Sequence, residues 1–181
     1  ISALAALPFV HYIEASSPQP ADLNKPGVNS HRDNYLQNSS LSGLTGNGVV
    51  VGVGDGGMGV LHLDFQNRQN NTSVFGASAH SNHVAGTIGG AGIINPANKG
   101  MAPKATLLNG YYYEYTDNTA YHYNTYGMIL SNNSWGYSYV CSGTDYTYES
   151  NGNDQQMCAY PTFNNLFAAG NDFRRLLRLS G

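Results

Sequence analysis

The clearest hydrophobic signal in the chain is the run Val49-Val50-Val51-Gly52-Val53, bounded by Gly48 and Gly54. An apolar run without alternation predicts a strand covered on both faces, as in a parallel sheet. His80 to Gly89 carries Val84, Ala85 and Ile88 at helical spacing. Ser78, Ser81 or Asn82 can cap its start, and Gly89-Gly90 can end it. Ala105–Leu108 reads as a second short buried strand. Ala120–Ile129 reads as a helix leading into a strand around Met128–Asn132, and Asn164–Ala169 as a last strand closed by Gly170-Asn171. Leu7–Glu14 also has strand character. Between these elements lie polar stretches: residues 16–47, rich in Ser, Pro, Asn and Gly, Gln66–Ser73, and the loop 145–154. Strands alternating with helices predict an α/β fold with a mostly parallel sheet and flanking helices.

Composition narrows the functional classes. The chain has 181 residues, of which only 10% are charged, and its net charge is −3. A nucleic-acid-binding domain would be basic, so that class is excluded. No apolar run approaches the roughly 18 residues of a membrane span. Low charge and abundant Gly, Asn, Ser and Tyr point to a secreted, loop-rich protein. Ile1–Val10 lacks the basic flank and cleavage site of a signal peptide, so an export signal is expected outside these residues. Cys141 and Cys158 stand 17 positions apart in a polar region. In a secreted protein this reads as a disulfide, contributing about 3 kcal/mol in the chain-entropy account. In a reducing compartment the same pair would be two free thiols. Eleven of the 14 tyrosines fall between residues 111 and 148, marking a binding cleft, an aromatic surface or both.

In an open parallel sheet, chemistry sits beyond the carboxyl ends of the strands. Three predicted strands deliver polar groups there: Asp55 after Val49–Gly54, Asn132-Asn133-Ser134 after Met128–Leu130, and Asn171 after Leu166–Gly170. His80 stands beside them at a helix start. A buried Asp on one imidazole nitrogen fixes the tautomer and leaves the other nitrogen as a base. An Asn side chain can donate to a developing oxyanion. Taken singly, each of these residues is also an ordinary turn residue.

Their surroundings carry a family pattern. Gly46–Gly57, with Asp55 inside it, resembles the aspartate motif of the subtilisin-like serine peptidases. His62-Leu63-Asp64-Phe65 stands where that family often has a His-Pro-Asp-Leu turn. His80-Ser81-Asn82-His83-Val84-Ala85-Gly86 is similar to its His-Gly-Thr-His-Val-Ala-Gly motif. Gly100–Ala105 looks like the Gly-Val-Ala-Pro-Lys-Ala turn, Ser131–Gly136 like the substrate-binding strand, and Ala168-Ala169-Gly170-Asn171 like the oxyanion segment. Six segments in order make the resemblance specific.

The resemblance implies serine-type endopeptidase chemistry on peptide or protein substrates. Asp55 would orient the base, His80 would be the general base, and Asn171 would hold the oxyanion. Ser134, Trp135 and Gly136 would pair with substrate backbone, Trp135 being either a pocket wall or a core aromatic. Residues 1–15 would be the end of a propeptide, 16–45 a linker or surface extension, and 46–172 a partial catalytic domain. The tail 173–181 is atypical: Arg174, Arg175 and Arg178 alternate with Leu. No cofactor is required for the chemistry. Asp64 matches a family calcium position, and the polar loop 145–154 offers further oxygen ligands, although a solvated turn explains that loop as well.

Two departures qualify this reading. Ser81-Asn82 replaces the family's Gly-Thr after His80. The Gly-Thr-Ser-Met-Ala motif that carries the nucleophile occurs nowhere in the sequence. The isolated chain is therefore expected to be inactive, with the serine supplied by a second chain or a longer precursor. The alternative is a fragment or pseudoenzyme that binds peptide without cleaving it. A third reading pairs His80 with His83 as zinc ligands. It lacks the intervening Glu of the His-Glu-x-x-His motif, and a packed helical His83 is preferred.

Overall fold

The computed structural model describes residues 31–38, 40, 42–57, 59–136 and 148–168. The leading strand at 7–14, the propeptide end at 1–15, Cys141, Asn171 and the 173–181 tail lie outside the described residues.

Five strands form one parallel sheet: β1 (Val50–Asp55), β2 (Gln69–Asn71), β3 (Thr106–Tyr111), β4 (Met128–Asn133) and β5 (Asn164–Phe167), in the order β2-β3-β1-β4-β5. Helices α1 (Asp33–Gln37), α2 (Ala79–Gly89), α3 (Glu114–Asp117), α4 (Thr119–Tyr126) and α5 (Tyr148–Ala159) complete the α/β arrangement. The apolar run predicted as a covered strand is β1. It occupies the centre of the sheet, with β3 on one side and β4 on the other. From β1 the chain goes to the edge strand β2, returns to β3 and crosses to β4 and β5; the connections leaving β1 and β4 run in opposite directions, so the switch point lies at the carboxyl ends of these two strands.

The period of two along β1 splits the core into two layers. Val51 and Val53 face α2, where they pack with Phe65, Ala85, Ala105 and Leu107. Val50 faces the opposite layer of Leu108, Tyr115, Met128 and Phe163, beside Tyr123 and Tyr160. Gly52 points to that second layer as well. A Cβ there would lie 2.7 Å from the Met128 sulfur and 3.0 Å from the Tyr115 ring, so β1 can approach α3 this closely only with glycine. Burial also pushes the Tyr115 hydroxyl well above the usual tyrosine pKa, and the Thr72 hydroxyl meets it at 2.9 Å.

Local signals explain most boundaries. The Ser78 hydroxyl accepts the Ser81 N–H at 3.1 Å and starts α2. Gly127, at φ 67°, closes α4, and its N–H bonds back to Tyr123 O at 3.0 Å. Thus the helix expected over Ala120–Ile129 ends earlier, and β4 begins at Met128. A register shift follows: Val50 pairs with Met128 but Val51 with Leu130, which expels Ile129 to the surface.

Other expectations are corrected. The polar stretch 66–73 contains β2, an edge strand held to β3 through its backbone. Much of the predicted loop 145–154 is helical, in α5, whose polar Asn and Gln give no apolar stripe to read. Within the expected linker, α1 is pinned to the body of the fold: Gln37 Nε2 donates to Gly100 O (3.0 Å) and Met101 O (2.9 Å). No helix among the described residues is long and apolar enough to cross a membrane.

Candidate active site

Asp55 is the last residue of β1 rather than a residue after it. It shares a face with Val51 and Val53, so its carboxylate points toward α2 from a buried position, 2% exposed. The Ser78 cap sets the start of α2 and places His80 in its first turn. The two residues meet: His80 Nδ1 lies 2.9 Å from Asp55 Oδ1 and 2.8 Å from Oδ2. The Gly56 N–H donates to Oδ1 at 2.6 Å, holding the carboxylate in place. An ionised carboxylate only accepts, so Nδ1 carries the proton and Nε2 carries the free lone pair. The His80 side chain is 62% exposed, so that lone pair is open to a reactant.

Ser134, Trp135 and Gly136 continue directly from β4, whose last residue Asn133 pairs with Gly54, the neighbour of Asp55. Asn132 Nδ2 donates to the Ser134 hydroxyl at 2.9 Å. Trp135 is half-buried in an aromatic wall. Its ring lies 5.5 Å from Tyr112, 5.0 Å from Tyr113 and 5.8 Å from Phe167. The wall continues through Tyr111, which stacks on Phe75 at 4.1 Å. Of the tyrosine-rich region, Tyr111, Tyr112 and Tyr113 thus form an aromatic wall at the carboxyl edge of the sheet, while Tyr115 belongs to the core. Asn133 points away from the site. Its Nδ2 donates to Asn165 Oδ1 (2.6 Å) and Leu166 O (3.2 Å), tying β4 to β5.

The remaining expectations fare differently. His83 is not packed: it is exposed and lines a cavity with His62 and Asp64. Asp64 does not sit in a cluster of carboxylates. Its Oδ1 accepts the Ile93 N–H at 2.6 Å, and no three His, Cys, Asp or Glu side chains stand at metal-ligand spacing among the described residues. One carboxylate beside two imidazoles does not fit a calcium site, which needs a shell of oxygen ligands. Cys158 is a free, exposed cysteine on α5, and its expected disulfide partner Cys141 lies outside the described residues, as does Asn171.

Two polar centres escaped sequence reasoning. Arg68 donates to Asp64 O and Ala105 O (2.6 Å each) and to Gly89 O (2.8 Å), clamping three segments around the end of α2. Burial lowers its pKa while Asp64 opposes that shift. On the other face of the sheet, buried His122 on α4 meets Glu114 on α3, Nε2 to Oε1 at 3.1 Å. Burial pushes His122 below the usual histidine value, and the Glu114 carboxylate pulls it partly back. A single His in a polar helix carries no sequence signal for either role.

The architecture has clear counterparts among solved structures. The CspB protease of Clostridium perfringens superposes with a TM-score of 0.60, at 18% identity over 80% of this chain and 41% of that one. MycP1 with its N-terminal propeptide removed gives 0.58, at 22% identity over 82% and 49%. A cold-adapted subtilisin-like serine proteinase gives 0.51, at 20% identity over 71% and 48%. The fold is subtilisin-like. The chain spans less than half the length of each of these three structures. No family model matches it, and no curated protein does. Within this subtilisin-like fold, the Asp55–His80 pair stands at the carboxyl end of the central strand.

Proposed function

We propose that this chain supplies the aspartate–histidine half and the substrate-binding strand of a secreted serine endopeptidase. The observation that carries this reading is a buried carboxylate holding Nδ1 of an otherwise exposed imidazole at the switch point of the sheet. In that role His80 Nε2 takes the proton of a serine hydroxyl as it attacks a peptide carbonyl. It then returns the proton to the leaving amine. Asp55 stays ionised, fixes the tautomer and stabilises the imidazolium that forms. Asn171 would donate to the tetrahedral oxyanion. The backbone of Ser134–Gly136 would take the substrate as an added strand. The aromatic wall of Tyr112, Tyr113 and Trp135 would favour bulky apolar side chains next to it.

Among the described residues Asp55 is the only hydrogen-bond partner of His80, and the sequence holds no Gly-Thr-Ser motif. In this reading the nucleophile is supplied by a polypeptide segment other than these 181 residues. The test is fluorophosphonate labelling together with hydrolysis of a peptide library. Each is measured for this chain alone and after co-folding with a segment carrying a Gly-Thr-Ser motif. The chain alone is expected to be inert, and the complemented protein to be labelled and to cleave. Labelling of a serine in the isolated chain would overturn the missing-nucleophile argument. Peptide binding without turnover in the complemented protein would favour the non-cleaving alternative.

A further inference from the structure

The segment that leaves β1 after Asp55 is gripped by side-chain amides. Asn82 Oδ1 on α2 accepts the Val60 N–H at 2.9 Å, and Asn71 Nδ2 on β2 donates to Gly59 O at 3.1 Å. Two further amides press against Gly59. A Cβ there would lie 2.2 Å from Asn109 Nδ2 and 2.3 Å from Gln69 Nε2, so only glycine fits. At its other end the segment touches the start of α2. The Gly56 N–H donates to Asp55 Oδ1 at 2.6 Å, and a Cβ on Gly57 would lie 2.1 Å from Gly76 O and 3.4 Å from the Ser78 Cβ. The segment therefore meets α2 at Ser78 and at Asn82, the residues two before and two after His80.

We propose that Asn82 is a positioning residue for His80, an inference that rests on the reading of His80 as the general base. The carboxyl end of α2 is tied to neighbouring segments by several bonds. Arg68 Nη2 donates to Gly89 O (2.8 Å), the Met101 N–H to Thr87 O (3.0 Å) and the Ala102 N–H to Ile88 O (2.7 Å). Over residues 79–82, only two side chains bond to other segments among the described residues: His80 to Asp55, and Asn82 to Val60. The His80 side chain is 62% exposed, so packing does not hold the ring. The direction of Nε2 then follows from the helix backbone and the Asp55 bond. Asn82 locks that backbone to the segment that begins at Asp55, so both partners of the pair are referred to one frame. The Thr of the resembled motif would carry its oxygen one bond nearer the backbone than Asn82 Oδ1 does. Asn82 thus has the longer reach to Val60. Without that bond the first turn of α2 can move against Asp55, and the carboxylate then holds Nδ1 in fewer conformers.

The experiment begins with nitrogen NMR of the histidine rings in the full chain, which needs no nucleophile. His80 is expected as the Nδ1–H tautomer alone, with the Val60 amide protected from exchange. Asn82→Ala should release the Val60 amide and leave His80 a mixture of tautomers. Asn82→Thr, with its shorter reach, should do the same, so the test does not hang on the folding of one variant. Asn82→Asp keeps the acceptor oxygen and should keep both signals. In the serine-complemented protein, Asn82→Ala should lower kcat at least about tenfold, toward the roughly hundredfold that a misplacement of about 1 Å costs, with KM little changed. Asn82→Asp should recover most of that loss on the alkaline plateau of the pH profile. Urea denaturation verifies that each variant is folded during the measurement. A single Nδ1–H tautomer in folded Asn82→Ala or Asn82→Thr overturns the inference, and so does an unchanged kcat. A complemented protein that binds peptide without turnover overturns the peptidase reading instead, and the tautomer measurement still decides the role of Asn82.

Discussion

Two histidine–carboxylate pairs lie on opposite faces of the same sheet, with the burial reversed. In Asp55–His80 the carboxylate is buried and the imidazole is exposed, side chains 3% and 62% accessible. In Glu114–His122 the imidazole is buried and the carboxylate is partly open, 1% and 22%. The bonds are similar, 2.8 and 3.1 Å. What differs is which partner can reach a third molecule. A buried carboxylate that orients an exposed imidazole presents a free Nε2 to solvent. A buried imidazole is desolvated, holds its proton less readily and touches only protein. Composition alone makes the two pairs equivalent; burial makes one a candidate base and the other a structural cross-link.

The sharpest way to break the comparison is to remove each function in turn. In the serine-complemented protein, Asp55→Asn should leave the fold intact but lower kcat by about 10⁴, because the wrong tautomer is then held. Steady-state hydrolysis measures this; a loss below tenfold would refute the orienting role. The matching change on the other face, His122→Ala, should cost about 2–3 kcal/mol of stability, as removing a fully buried side chain does. Its effect on activity should stay small once the protein is folded. Urea denaturation separates the two outcomes. By contrast, His80→Ala should cost about 1 kcal/mol or less, since water replaces an exposed ring.

Acidity tests the same contrast. The folded-state value of His122 is depressed, so its contribution is complete above the unfolded value of about 6.5. Below that pH the unfolded chain takes up a proton that the folded chain refuses, and stability falls as the pH drops. Urea midpoints at pH 7.5, 6 and 5 should therefore decline, and the part due to His122 should vanish in His122→Gln. Glu114→Gln removes the group that raises the His122 value, so its acid loss should extend to lower pH. A similarly small effect is expected from Ser78→Ala, which removes the cap that sets His80 in place. It should cost about 1 kcal/mol in thermal unfolding. A larger fractional loss of activity than of stability would tie the cap to His80 orientation.

How far these sites could be read depends on the kind of signal each leaves. β1 and α2 announce themselves, because burial on both faces demands an unbroken apolar run and burial on one face demands helical spacing. Asp55 and His80 were legible for the same reason: polar groups interrupt those patterns at their ends. β2 was not, since an edge strand of Gln and Asn is held by backbone bonds that any side chains permit. α5 was missed because its polar composition shows no stripe. Arg68, Glu114 and His122 draw their roles from partners distant in sequence or on a neighbouring helix, and spacing does not encode such partners.

The sequence by itself determined the layered α/β plan, the order of its strands along the chain, the residues at their carboxyl ends and the want of a nucleophile motif. Those follow from periodicity, turn chemistry and the order of short motifs. Only the tertiary structure decided that β1 is central, that Asp55 turns inward while His80 stays open, and that His83 is exposed at a cavity it lines with His62 and Asp64. Each of these is a question of which face a side chain shares with residues far away in the chain. Sheet order and helix placement answer it, and local patterns do not.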